Sequence, residues 1–283
     1  MYPRKFDYTA PATLDEAVSA LASTPGAKVM AGGMSLLPLM KMRLLSPSTI
    51  VDIGRISGLD QIEDRGDQLA IGALVRHADT AASPLVREHA PGLAAAAALT
   101  GDVQVRNRGT TAGSLAHADI AADQPAAVLA LAATLVTQGP NGRREIPAAE
   151  WFVDTLTTSL HADEVLVEVL VPKGGASAYD KLGRRGGHSD YAVAGAAAWV
   201  QRSNGTVEAA RVGLTGVGTK PTLASEVGEA IVGTDGSAGA IEAAAAHATD
   251  GVTVLEDLYG TEEYKAHLAQ VYVARALTAA LGG

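Results

Sequence analysis

The sequence predicts an α+β chain. Two α/β subdomains, about residues 1–55 and 56–173, form a first domain, and a small α+β domain follows over residues 177–283. Three observations carry this reading. Adjacent glycines stand at a strand-to-helix junction, Gly32 and Gly33. A Lys-Gly-Gly-Ala run at residues 173–176 interrupts the pattern. Beyond it, Asn204-Gly205 joins two apolar runs, and helix-favouring segments close the chain.

In order, Thr13 is placed to cap a helix, with Glu16 three residues on and Ala17, Val18, Leu21 and Ala22 at helical spacing. Pro25-Gly26 ends it. Residues 28–31 predict a strand running into the glycines, 36–44 a helix stopped before Pro47, and 49–53 a β-branched strand. Residues 68–72 predict a strand, 74–80 lead into a helix near Ala81, and 93–99 favour helix, a pattern that residues 104–113 break. Residues 125–133 predict a buried helix. A hairpin is expected from 135–138 and 144–146 about Pro140-Asn141-Gly142, then a strand at 164–171 ended by Pro172. In the last domain 192–201 pairs with 207–215, followed by helices near 240–248 and over 261–281. The final helix offers Tyr264, Leu268, Val271 and Leu277 as core positions.

Composition narrows the chemistry. A net charge of −9 without a long basic stretch disfavours nucleic acid and anionic membrane surfaces as partners. With no cysteine, the chain has no disulfide, thiol nucleophile or thiolate-held iron–sulfur cluster. Its seven histidines, His188 among them, show no metal-ligand spacing. The uncharged run 125–136 is too short to span a bilayer, and residues 1–13 lack the apolar core of a signal peptide, so a cytoplasmic protein without stable membrane insertion is expected.

Two small-residue segments stand out. Ala31, Gly32, Gly33, Met34, Ser35 and Leu36 form either an ordinary tight turn or a nest of backbone N–H groups suited to an anion, with Ser35 adding a hydroxyl. The second segment, residues 104–123, gathers Thr110, Thr111, Ala112, Gly113, Ser114, His117, Asp119 and Asp123. It suits phosphate or ribose oxygens, or it is a capped loop with Asp119 and Asp123 as N-caps of the next helix. A nicotinamide-binding reading fails, because the nearest glycine string, Gly213 to Gly218, has reversed spacing and lies in the expected hairpin.

Together these segments resemble the two FAD-binding loops of the medium subunits of molybdenum hydroxylases, the family of xanthine dehydrogenase and aerobic carbon monoxide dehydrogenase. Residues 179–191 and 262–277 resemble that family's C-terminal domain, so the likeness runs through nearly the whole chain. It implies an FAD-binding domain of the vanillyl-alcohol-oxidase (PCMH) type over residues 1–173, with non-covalent FAD. It implies that Ala31 to Ser35 cradle the pyrophosphate, that Thr110, Thr111, Gly113 and Ser114 line the other side, and that Asp123 holds the ribityl or ribose region. Leu166 and Lys181 fall near the isoalloxazine ring by this likeness. Tyr191 resembles an aromatic residue covering one flavin face, with core packing as the alternative. Three residues depart from the pattern: Met34 where Gln, His or Thr is common, Ala112 for the first glycine of a pair, and Ile120 for a frequent proline.

The implied function is electron transfer. Substrate is oxidised at a molybdenum–pterin centre on a large subunit, and electrons pass through [2Fe-2S] clusters on a small subunit to this FAD and on to an external acceptor. A dimer of heterotrimers is expected. The alternatives are a stand-alone FAD oxidase of related fold and a scaffold that keeps the loops without redox work.

Overall fold

A computed structural model describes residues 2–185 and 190–282 of the 283-residue chain. His188 and part of the 179–191 segment lie outside the described residues.

The first subdomain runs β1 (Asp7–Thr9), α1 (Leu14–Ser23), β2 (Lys28–Met30), α2 (Leu36–Lys41), β3 (Thr49–Asp52). Its three strands are parallel in the order β1-β3-β2, so each crossover needs a helix or long loop. Thr13 caps α1 in a full capping box with Glu16. α1 then buries Ala17, Val18 and Leu21.

The second subdomain places an antiparallel sheet, β4-β5-β10-β6-β7, against a set of short helices. Its elements are β4 (Ile62–Asp64), β5 (Gln68–Gly72), α3 (His77–Ala82), α4 (Pro84–His89), α5 (Pro91–Leu99), α6 (Val103–Arg106), α7 (Thr111–His117), α8 (Asp123–Ala130), β6 (Thr134–Gly139), β7 (Gly142–Pro147), α9 (Ala148–Trp151), β8 (Phe152–Asp154), β9 (Thr157–Thr158) and β10 (Val165–Pro172). The hairpin expected at 135–146 is present as β6 and β7. The stretch 104–113, expected to break the helical pattern, instead holds α6 and the start of α7. Side-chain caps from Asp102 and Thr110 make such short helices possible.

The last domain comprises β11 (Ala176–Gly183), β12 (Ala192–Ser203), β13 (Thr206–Thr215), β14 (Thr222–Leu223), α10 (Ser225–Ile231), α11 (Ala238–Ala245) and α12 (Glu262–Leu281). Its four strands are antiparallel in sequence order. The hairpin turns on Asn204 and Gly205 at φ 51 and 84, the left-handed pair that this dipeptide supplies cheaply. α12 packs on β11 and β12, while α5 and α8 of the preceding domain pack on the same sheet. Hence residues 192–200 of β12 are buried without alternation, which explains the run Ala-Val-Ala-Gly-Ala-Ala-Ala-Trp-Val. Small residues set the approach: a Cβ on Gly213 would stand 2.2 Å from the Ala126 carbonyl oxygen.

One expected core position is corrected. Tyr264 is exposed, and the buried stripe of α12 runs through Lys265, Leu268, Ala269, Tyr272, Val273, Ala276 and Leu277. The Lys265 amine takes the interior place because it donates to the Gly216 carbonyl (3.1 Å) and to Asp257 (2.8 Å). Val271 is half-buried at the edge of the same packing.

Candidate functional site

Segments about seventy-five residues apart in the chain meet at Gly32. A Cβ there would lie 2.1 Å from the Arg108 carbonyl oxygen and 2.7 Å from the Gly109 Cα, so only glycine permits this contact. Gly33 follows at φ +73, a left-handed conformation that turns the chain from β2 toward α2. Among the described residues, no hydrogen bond within the chain uses the N–H groups of Gly33, Met34, Ser35 or Leu36. Ser35 stands at the head of α2 without a side-chain capping bond. Four backbone donors are thus uncommitted on one turn, a set suited to an anion. Ala31 is half-buried at the end of β2, and Met34 is half-exposed.

The second segment is more committed. The Thr110 hydroxyl accepts the Gly113 N–H (3.0 Å) and caps α7. The Thr111 hydroxyl is buried in a 2.7 Å bond with that of Thr80. Ala112 is buried in the first turn of α7 with a helical backbone, so alanine carries no strain where the family pattern has glycine. The left-handed residue is Ala118, φ 52, which ends α7 beyond Ser114 and His117. Burial lowers the pKa of the His117 imidazole, while Asp119, 4.0 Å away, opposes the shift. Asp119 also accepts the Ala121 N–H (2.9 Å).

Tyr191 joins both segments. Burial and the charge of Asp119 raise its phenol pKa, and the Ser35 side chain and the charge of Arg184 act the other way. One phenol therefore neighbours the first segment through Ser35 and the second through Asp119. Tyr191 still exposes 41% of its surface, so it is not packed in a core.

Behind the second segment runs a buried polar chain. The Lys181 amine donates to Asp123 Oδ2 (2.9 Å), to the Leu99 carbonyl (3.0 Å) and to the Asp190 carbonyl. Asp123 also accepts from Tyr179 (2.5 Å) and Thr100 (3.2 Å). Burial pushes the Asp123 carboxyl above the usual carboxylate range, and Lys181 and these hydroxyls oppose that shift. Gln124 Nε2 donates to Thr100 (2.7 Å) and faces His77 Nδ1 at 3.0 Å. Burial, then the charge of Arg106, lowers His77 to about 4, so its ring is neutral at pH 7 and Nδ1 accepts from Gln124. His77 closes the chain onto the second segment, for its N–H donates to the Gly109 carbonyl (3.0 Å). Asp123 is thus not the N-cap of α8; Ala122 holds that position.

Leu166 is buried in β10 opposite Thr137, next to a bulge before Glu168, on the strand against which α7 packs. The structure therefore brings the first segment, the second and Tyr191 together, and pairs Asp123 with Lys181 as a buried tie between domains. Sequence reasoning missed His77, Thr100, Gln124, Tyr179 and Arg184. Gln124 adjoins Asp123 in the chain, but nothing near His77 marked it, because its partners, Gln124 and the Gly109 carbonyl, come from distant segments.

Comparison with known proteins gives this arrangement its family. Residues 4–174 match the FAD binding domain in molybdopterin dehydrogenase, and residues 177–280 match the CO dehydrogenase flavoprotein C-terminal domain. The carbon monoxide dehydrogenase medium chain of Hydrogenophaga pseudoflava is 42% identical over 99% of this chain and 98% of its own. The nicotine 6-hydroxylase medium subunit of Paenarthrobacter nicotinovorans is 35% identical over 96% of each. Among solved structures, quinoline 2-oxidoreductase from Pseudomonas putida 86 superposes with a TM-score of 0.93 at 35% identity, covering 99% of this chain and 98% of the other. The chain belongs to the FAD-binding medium subunits of the molybdenum hydroxylase family and is an oxidoreductase subunit of that kind.

Proposed function

We propose that this chain is the electron-transfer subunit of a heteromeric molybdenum hydroxylase, with FAD held between its two small-residue segments. The observation that carries this is the close meeting of Gly32 with Arg108–Gly109, directly before a turn whose backbone donors are uncommitted. The uncommitted N–H groups of residues 33–36 and the Ser35 hydroxyl would hold the pyrophosphate, with Ala31 and Gly32 shaping the approach. Thr110, Thr111, Ala112, Gly113 and Ser114 would present backbone to the opposite side, since both threonine hydroxyls are already engaged. His117 and Asp119 would border the site. Asp123 and Lys181 would stand behind its wall near the ribityl and isoalloxazine regions, with Leu166 and Tyr191 supplying apolar surface. The flavin, when bound, supplies the redox chemistry, and these residues bind it, orient it and exclude water.

The relatives named above as medium chains and medium subunits support a heteromeric assembly. We place the [2Fe-2S] clusters on a small subunit and the molybdenum–pterin centre on a large one, assembled as a dimer of heterotrimers. A chain with no cysteine offers no thiolate for a cluster and would receive electrons across an interface. The test is anaerobic absorbance in the oxidised-flavin band. The isolated chain should bind FAD and bleach with dithionite, yet stay oxidised with the substrate of the assembly until the partner subunits are added. Rapid bleaching by substrate and the chain alone would establish a stand-alone oxidase instead.

A further inference from the structure

Arg184 lies outside both small-residue segments, but it organises the residue that joins them. Its guanidinium carbon sits 4.4 Å from the ring centre of Tyr259 and 5.4 Å from that of Tyr191. Both distances fall within the range of cation–π attraction. The Arg184 N–H also donates to the Tyr191 carbonyl (2.9 Å), so Tyr191 is held at its backbone and its ring by one residue.

Tyr259 is anchored independently. Its N–H donates to Asp257 Oδ1 (2.8 Å) in a tight turn closed by Asp257 and Gly260. Asp257 Oδ2 takes the buried Lys265 amine at 2.8 Å, and that amine also donates to the Gly216 carbonyl (3.1 Å). The Gly216 N–H in turn donates to the Ile120 carbonyl (2.6 Å), at the tail of the second segment. A closed circuit results. One arm runs from Tyr259 through Arg184 to Tyr191, whose neighbour Ala192 donates to the Ala121 carbonyl (3.0 Å); the other runs from Tyr259 through Asp257, Lys265 and Gly216 to Ile120.

We propose that Arg184 and Tyr259 are positioning residues that act as a unit, fixing the Tyr191 ring at the flavin wall by stacking and tying that position to the second FAD-binding segment. This rests on the reading of Tyr191 as a wall of the flavin site. It predicts that the stack governs flavin contact without governing whether the chain folds, because both tyrosines are more than 40% exposed.

The test uses the full chain reconstituted with FAD, reading the dissociation constant, the fluorescence of bound flavin and the thermal midpoint. A tyrosine ring against the isoalloxazine quenches flavin emission, so displacement of that ring is read directly. Arg184→Ala and Tyr259→Ala should each weaken FAD about two- to fivefold and raise bound-flavin emission about twofold. Their double variant should do no more than either alone, since a shared stack is non-additive. Arg184→Lys, which keeps the charge but loses the planar face, should fall between, and Tyr259→Phe should match the parent. Arg202→Ala, at the far end of the β12–β13 hairpin, is the control and should leave FAD affinity and bound-flavin emission unchanged. Unchanged emission in folded Arg184→Ala, additive effects in the double variant, or an effect from only one partner would each overturn the proposal. If Arg184→Ala fails to fold, Tyr259→Ala against Tyr259→Phe decides alone. A parent chain that binds no FAD would refute the flavin reading and not the stack.

Discussion

His77 ties the pH dependence of stability to the buried polar chain behind the second small-residue segment. In the folded protein burial and Arg106 lower its pKa to about 4, whereas an exposed imidazole titrates near 6.5. Below pH 6.5 the unfolded chain therefore takes up a proton that the folded chain refuses. The sign follows: the contribution is fully present above 6.5, declines as pH falls, and is gone below the folded pKa. At pH 5 the two titrations differ by about 2 kcal/mol relative to neutral pH, rising toward about 3 kcal/mol at the acid limit. His77→Asn removes the titration but keeps an acceptor for Gln124. The assay is urea unfolding of both proteins from pH 7.5 to 5, followed by the fluorescence of the buried Trp151 and Trp199. The gap in unfolding free energy should change by about 2 kcal/mol over that range, in favour of the variant at low pH. Parallel pH profiles would refute a neutral, buried His77 as the origin.

Three more outcomes follow from the geometry. Gly32→Ala must push its loop about 1 Å from Arg108, so FAD affinity should drop at least about tenfold in a fluorescence titration. Gly239→Ala, with open space around the added methyl, should bind FAD normally. Lys181→Met leaves the Asp123 carboxyl buried without its cation and should cost about 3–5 kcal/mol in urea unfolding, a loss that Lys181→Met with Asp123→Leu partly restores. Acid precipitation should release all flavin into the supernatant, because the chain has no cysteine and His117 is not expected to form a link; colour kept on the denatured protein would contradict non-covalent binding.

Local signals were the legible part of this fold. The Thr13–Glu16 box and the Asn204-Gly205 hairpin form as read, because each rests on a few neighbouring residues whose geometry is nearly self-sufficient. Less legible was β11, where Ala176–Gly183 contains no β-branched residue and exists as a strand through its pairing with β12. α10 was also missed, since its burial depends on packing against β13. In α12 Tyr264 looked apolar enough for the core, but Lys265 displaces it by satisfying the Gly216 carbonyl, an acceptor about fifty residues away. The site divides the same way. Gly32 and Gly33 could be singled out because adjacent glycines at a strand-to-helix junction permit positive φ and close backbone approach, and at Gly32 that approach is to Arg108. Asp123 was visible as a polar residue in a small-residue run, but its partners Lys181, Tyr179 and Thr100 come from distant segments. No spacing rule links them.

The sheet of the last domain has no weather side. Residues 192–200 of β12 are buried from both directions, by α12 on one face and by α5 and α8 on the other. It is a party wall shared by two tenants. A chain severed between the two matched regions would leave each half with a bare alanine-rich face, and the halves should aggregate apart while reassembling when refolded together. The same wall limits how this lineage can vary. A larger side chain at Ala194, Ala196 or Ala198 has no solvent into which to escape, so change in β12 must be matched by loss of volume in the helix it faces.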